Sequence, residues 1–306
     1  VGVLQQPRRG ANAAGSSTAL AAAAFGGGCA AALRAGAAVV GGGPRRRPLR
    51  AGGVGRRGRV ALAAGSQGAG DVGVVFLSAG VGKRMGAGMP KQYVKLLGRE
   101  IALHALEVFL DCDVKEVVIV CAEEFRSIFQ DYLAKRGNVK PIIKYAVGGN
   151  ERQDSVKNGL DKITAEFAAV HDCARPLVTK DEVERVIADA RRHGAALLGV
   201  PTKATIKRAD PGKDGEAMVA DTPDRKLMWE AHTPQVVRCD LLREGFAHAA
   251  KNKLAVTDDV SLIEFLGKPV KLTAGEYTNM KVTTPEDLAV AEAILRSRGY
   301  EPPAAV

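Results

Sequence analysis

The stretch VGVVFLSAGVGKRM, residues 72–85, decides how the rest of the chain is read. Val72 to Leu77 is an unbroken apolar run rich in β-branched residues, the pattern of a strand buried on both faces. Ser78-Ala79-Gly80-Val81-Gly82 follows at once, and then Lys83 and Arg84. A glycine turn after a strand points several backbone N–H groups at one place, which suits a polyphosphate. It is not a Walker loop, because Arg84 and not Ser or Thr follows Lys83. Nor is it the dinucleotide fingerprint, because Met85 fills the third glycine position. A glycine turn alone is equally compatible with a tight structural bend. With Lys91 in MPKQY (residues 89–93), however, three cations lie within a dozen residues of one another, and they repel unless an anion sits among them.

Working outward, residues 116–121, 167–171 and 195–200 repeat the apolar strand pattern, and residues 101–110, 123–134, 152–163 and 181–193 carry apolar side chains at helical spacing. Strand and helix in alternation predict an α/β fold: a Rossmann-like, mostly parallel sheet with helices on both faces and ligands at the carboxyl ends of the strands. Residues 201–233 break the rhythm, with strand-like pieces at 205–207 and 218–219 split by Asp210, Pro211, Gly212, Asp214 and Gly215. They read as a protruding β-arm, too thin to bury both its faces without a partner. Beyond it the pattern predicts helices over 238–250 and 257–266, the latter with Asp258 and Asp259 in its first turn, and a strand over 269–273. Thr284, Pro285, Glu286 and Asp287 then give an N-cap, an N1 proline and an acidic first turn for a last helix running to about Arg296.

The net charge of +10 on 306 residues is concentrated at one end. Residues 1–70 hold ten Arg and no Lys, Asp or Glu; the remaining 34 basic residues face 34 acidic ones, so the body from 71 to 306 is neutral. Nucleic-acid binding, which would rest on net charge alone, is thereby excluded as a reading. Of the first 70 residues 36 are Ala or Gly, too little apolar surface to offset the entropy of ordering. An Arg-rich, Ser-containing, acid-free leader reads as a disordered organelle transit peptide, the alternative being a merely disordered leader. Its uncharged run over residues 11–33 is mostly Ala and Gly, which drives membrane insertion weakly, so no membrane partner is expected. The first residue is Val1 and not Met, so an earlier start is expected. Cys112, Cys121, Cys173 and Cys239 show no CxxC spacing, and the five His form no HExxH; a reducing compartment and no protein-held metal follow.

The glycine turn with its cations resembles the nucleotidyltransferase signature. The match extends through GGNERQDSV (148–156), HDCARP (171–176), KATIKR (203–208), DTPDRKLMWEAHTPQ (221–235), VTDDVS (256–261) and NMKVTTPEDL (279–288). In order and together these segments resemble the 2-C-methyl-D-erythritol 4-phosphate cytidylyltransferase family in its plastid form. The resemblance implies a homodimer joined through the β-arm and a plastid stromal location. It implies the reaction of CTP with methylerythritol phosphate to give the cytidine diphosphate alcohol and pyrophosphate, with Mg²⁺ arriving on the triphosphate. By the same resemblance Arg84 and Lys91 stabilise charge at the α-phosphorus, while Arg225 and Lys281 hold the alcohol phosphate. Ala79, Gly80, Gly82, Gly149, Asn150, Ser155 and Cys173 match the nucleotide pocket. Asp172, at a strand end, and Arg175 fall in the same loop, and Thr205, Thr233 and Thr257 match positions near the second substrate. Ala204 stands where bacterial relatives often carry Asp.

Two other readings share these features: a cytidylyltransferase for another polyol phosphate such as ribitol phosphate, and a non-catalytic nucleotide-binding regulator on the same fold. Loss of a cation would favour the latter, yet Arg84, Lys91, Arg225 and Lys281 are all present. If residues 1–70 carry targeting and no core, a chain beginning near Asp71 keeps the unfolding midpoint and activity of the full chain. A loss above about 1 kcal/mol in denaturant unfolding would show that the leader packs on the body.

Overall fold

The computed structural model describes residues 70–80, 89–211 and 215–302. The leader, and with it the expected transit peptide, lies outside the described residues, as do Gly82 and Arg84.

Seven strands form one sheet in the order β11-β7-β10-β6-β1-β4-β5. In chain order, β1 is Val72–Leu77, β2 and β3 are the small hairpin Lys95–Leu96 and Arg99–Glu100, β4 is Glu116–Val120, β5 is Ile142–Ala146 and β6 is Phe167–Asp172. Then come β7 Ala195–Pro201, the arm strands β8 Arg208–Pro211 and β9 Ala217–Asp221, β10 Trp229–Arg238 and β11 Lys271–Ala274. β10 alone runs against its neighbours β6 and β7; the other adjacent pairs are parallel. The helices are α1 Ile101–Asp111, α2 Arg126–Arg136, α3 Arg152–Leu160, α4 Lys180–His193, α5 Cys239–Asn252, α6 Ser261–Glu264 and α7 Pro285–Ser297. None of the helices among the described residues is long and apolar enough to cross a membrane.

The alternation of side chains along each strand fills two cores. Val72, Val74 and Phe76 of β1 join Val117 and Ile119 of β4 beneath α1, α2 and α4, whereas Val75, Leu77, Val118 and Val120 lie beneath α3, α5 and α6. A third cluster packs α7 against the β2–β3 hairpin through Leu96, Ile101, Val282 and Leu295. Two helix starts follow directly from sequence. Thr179 and Glu182 close a capping box at α4, and Thr284 and Asp287 do the same at α7 behind Pro285.

The fold departs from the sequence reading in four places. β5 is an edge strand carrying Lys144 beside exposed Ile142, and so lacks an apolar run. β10 begins at Trp229, so the last residues assigned to the arm belong to the central sheet. The expected helix over 257–266 shrinks to Ser261–Glu264. The Gln235 side-chain oxygen takes the Asp259 and Val260 amides (2.9 and 3.1 Å), and Asp258 caps Ser261 N–H at 3.0 Å, so side chains supply the acceptors for the amides that lead into the short helix. In the arm, pairing starts at Arg208 opposite Asp221, and not at Thr205.

His171 of β6 is fully buried against Phe76 and Phe109 (ring centroids 6.1 and 4.9 Å), with Nδ1 3.1 Å from the Thr233 hydroxyl. Burial pushes its imidazolium down to about 3; burial and then Arg175 push His232 down to about 4. Below pH 6.5 the unfolded chain binds protons that these two sites refuse in the folded state, so stability falls as pH falls. Each histidine costs about 1.4 kcal/mol per pH unit until its folded value is reached. Urea unfolding between pH 6 and pH 4.5 should show this slope, to which buried His104, also lowered by burial, adds, and His171→Asn or His232→Asn should each remove part of it; an unchanged slope in both variants would rule the assignment out.

Candidate active site at the carboxyl ends of the strands

β1 is the switch point of the sheet. The chain leaves it through α1 to reach β4 on one side and returns through α3 to β6 on the other. Helices on opposite faces part there, and the crevice outside the strand ends is where such folds bind ligands. A cleft of about 490 Å³ opens at this point. It brings together Ala79, Gly80, Lys91, Gly149, Asn150, Ser155, Asp172, Cys173 and Lys281 of the residues expected from sequence.

Two loops build its rim. The MPKQY segment fastens the start of the glycine turn: Gln92 Nε2 donates to the carbonyls of Ser78 (3.0 Å) and Gly80 (2.7 Å), and Tyr93 Oη to Ser78 O (2.8 Å). Opposite, the β5–α3 loop comes so close that a Cβ on Gly148 would collide with the Ala79 side chain, and one on Gly149 with Asp154. Only glycine permits both approaches. The Ser155 hydroxyl accepts the Gly149 N–H at 3.0 Å and donates to Glu151 O at 3.3 Å, holding the loop's shape.

The floor is a chain of alternating charge. Lys281 Nζ donates to Asp172 Oδ2 at 2.6 Å, Arg152 Nε donates to Asp172 Oδ1 at 3.1 Å, and the Arg152 fork donates twice to Asp259, at 2.9 and 2.8 Å. The Thr233 hydroxyl accepts the Asp172 backbone N–H at 3.1 Å, and a bulge in β10 between Ala231 and Gln235 aims it there. Burial by itself would raise the Asp172 carboxyl, but Arg152 and then Lys281 outweigh it and hold the group far below the usual carboxylate range. Asp172 is therefore an ionised acceptor and not a proton donor near neutrality. Lys91 reaches across to donate to Val282 O at 2.8 Å, one residue beyond Lys281. Burial pushes the Cys173 thiol up to about 12, which removes thiolate chemistry. Among the described residues no group of three His, Cys, Asp or Glu side chains could cage a metal ion.

The other expected residues lie apart from this cleft. Arg175 is buried beneath the Lys281 loop and donates to Asn279 O (2.7 Å) and Ala231 O (3.1 Å). Thr257 is exposed on the loop before α6. Thr205 and Arg225 are exposed on the arm, where Arg225 Nη1 donates to Lys203 O at 3.1 Å. Neither of these two lines the cleft of its own chain. Arg152, Asp259, Gln235 and Gln92 were missed as site residues although the quoted motifs contain them. Arg152 had a signal. A cation at the first position of a helix opposes the macrodipole, and is tolerable only where anions hold it.

Comparison with known proteins agrees with this fold. The family profile of 2-C-methyl-D-erythritol 4-phosphate cytidylyltransferase matches residues 72–297. A rice protein named 2-C-methyl-D-erythritol 4-phosphate cytidylyltransferase, chloroplastic, is 52% identical over 231 residues, covering 74% of this chain and 75% of its own. The protein of that enzyme name from Pelotomaculum thermopropionicum is 41% identical over 230 residues, 74% of this chain and 95% of its own. Among solved structures, the 4-diphosphocytidyl-2C-methyl-D-erythritol synthase of Anaerococcus prevotii superposes with a TM-score of 0.64 at 26% identity, over 75% of this chain and all of that one. The Thermus thermophilus cytidylyltransferase gives 0.57 at 31% identity, over 74% and 98%. A profile spanning the described body and a relative sharing half of its residues leave one conclusion: the chain belongs to the 2-C-methyl-D-erythritol 4-phosphate cytidylyltransferase family.

Proposed function

We propose that this chain transfers the cytidylyl group of CTP to 2-C-methyl-D-erythritol 4-phosphate, releasing pyrophosphate, for isoprenoid synthesis in a plastid. The observation that carries the activity is the convergence of the glycine turn, Lys91 and the Lys281–Asp172 pair in one cleft at the switch point. The Arg-rich leader and the rice relative named chloroplastic support the location.

The nucleophile is an oxygen of a phosphate monoester, already anionic near neutrality, so no general base is needed. A new bond forms from that oxygen to the α-phosphorus as the bond to the bridging oxygen of pyrophosphate breaks, and the electron pair leaves with pyrophosphate. Negative charge spreads over the α-phosphoryl oxygens and the leaving group, and the protein's task is to meet it with fixed positive charge. Arg84 and Lys91 take that role on the nucleotide side. Lys281 holds the attacking phosphate, and its bond to Asp172 fixes the ammonium at the cleft edge beforehand.

An Mg²⁺ ion arriving on the triphosphate would find one hard carboxylate at the strand ends, Asp172, as its protein donor. It would neutralise triphosphate charge and ease departure of pyrophosphate.

The arm completes the site in a twofold dimer. Met218, Val219 and Leu227 are exposed on it, each with more than half its surface free, and β8 and β9 cannot cover both faces of their own hairpin. In this reading the arms are exchanged, and Thr205 and Arg225 face the alcohol phosphate in the cleft of the neighbouring copy.

Pyrophosphate release from CTP should require methylerythritol phosphate and be far slower with ribitol phosphate; the reverse preference, or no release with either, would overturn the assignment. Lys91→Ala should lower turnover by about 10² to 10³ with the fold intact and with a smaller change in CTP affinity. Mixing Lys91→Ala with Arg225→Ala chains by mild unfolding and refolding tests the exchanged arm. About half the dimers become hybrid and about a quarter of all sites regain both groups. Activity that stays at the parental level despite confirmed hybrids would mean that both residues serve the same chain's cleft.

A further inference from the structure

We propose that Tyr277 is a positioning residue that acts across the dimer: it fixes the root of its own chain's arm and thereby the placement of Arg225 in the neighbouring site. The inference rests on the exchanged-arm reading above.

The arm has little to aim it. After β7 ends at Pro201, Thr202 is buried with its N–H on Met228 O at 3.0 Å, and then Lys203 through Asp210 are all exposed. Ala217 through Val219 on the returning strand are exposed as well. The direction of the hairpin is therefore set at its root. There the Tyr277 hydroxyl donates to Pro201 O at 2.7 Å, and the Lys203 ammonium sits 3.6 Å from the centre of the Tyr277 ring. Lys203 in turn offers its carbonyl to Arg225 Nη1 at 3.1 Å. One aromatic side chain thus touches both root residues, and the second of them holds the guanidinium directly. Tyr277 is 44% exposed, so core packing does not account for it.

Tyr277 also belongs to the segment that organises the cleft of its own chain. Asn279 O accepts from Arg175, Lys281 donates to Asp172, and Val282 O accepts from Lys91, all within five residues of it. A residue in this place could act on either cleft, and the two possibilities separate cleanly. If it acts through the arm, its lesion appears in the neighbouring cleft; if it acts through Lys281, the lesion stays in its own.

Tyr277→Ala should raise KM for methylerythritol phosphate and lower turnover, by roughly tenfold to a hundredfold together, the scale of a misplaced binding group. KM for CTP should stay near that of the unaltered chain. Tyr277→Phe, which keeps the ring over Lys203 and loses the bond to Pro201, should show a smaller change of the same kind; it also serves if the alanine variant does not fold. The decisive measurement is complementation at limiting methylerythritol phosphate. Refolded mixtures of Tyr277→Ala with Lys91→Ala chains should regain about a quarter of full activity, because in each hybrid dimer one of the two clefts has intact Lys91 and an intact arm. Hybrids with Arg225→Ala chains should gain nothing. Recovery with Arg225→Ala and not with Lys91→Ala would place the effect in the same chain's cleft and overturn the proposal, as would unaltered kinetics of Tyr277→Ala. Lack of recovery with either partner, while Lys91→Ala and Arg225→Ala do complement each other, also overturns it. If those last two fail to complement, the exchanged-arm reading itself falls.

Discussion

Asp172 carries its negative charge at the end of β6 between two cations that come from opposite parts of the chain, and most of the cleft is arranged around that meeting. Arg152 arrives from the first position of α3, a place where the helix field disfavours a cation, and two carboxylates hold it there. Lys281 arrives from the far end of the sequence. Truncating Arg152 would leave the buried Asp259 carboxylate without its cation, a cost of about 3 to 5 kcal/mol in comparable sites, whereas truncating Lys281 would leave Asp172 still paired with Arg152. The supports extend outward in layers. Gln235 of the reversed strand holds the amides beneath Asp259, and Thr233 of the same strand holds the amide of Asp172.

This arrangement suits a reaction in which charge and not protons must be managed. His171 is sealed among aromatic rings and stays neutral, Cys173 stays a thiol, and Asp172 stays ionised. None of the three is poised to exchange a proton near neutrality. A phosphate nucleophile asks for no such exchange, and a preset field costs no reorganisation when the transition state forms.

How far the chain explains itself depends on which signal each part leaves. β1 was legible to the residue because a strand covered on both faces is apolar throughout, and α7 because Thr284, Pro285 and Asp287 together give an N-cap, an N1 proline and a capping-box acid. Lys91, Asp172 and Lys281 were legible as a set through motifs that the structure gathers from residues 91, 172 and 281 into one cleft. β5 left a faint trace, since an edge strand need not be apolar. β10 left a misleading one, because its exposed first residues continue the polar composition of the arm. Arg152 and Gln235 were hidden for another reason. Their importance lies in what they hold, Asp259 and the turn before α6, and those partners are 107 and about two dozen residues away in the chain.

The reversed strand has one more consequence. β7 and β10 are adjacent, antiparallel and consecutive in the central sheet, so everything between them is an insertion at a hairpin tip. Lengthening such an insertion adds closure entropy only logarithmically and leaves every strand pairing in place. Natural variation can therefore lengthen, shorten or resurface this excursion with little effect on the sheet. If, as proposed, one copy meets another through this excursion, that surface is free to diverge between lineages while the catalytic scaffold stays fixed, and chains from different lineages share one chemistry yet fail to assemble with each other.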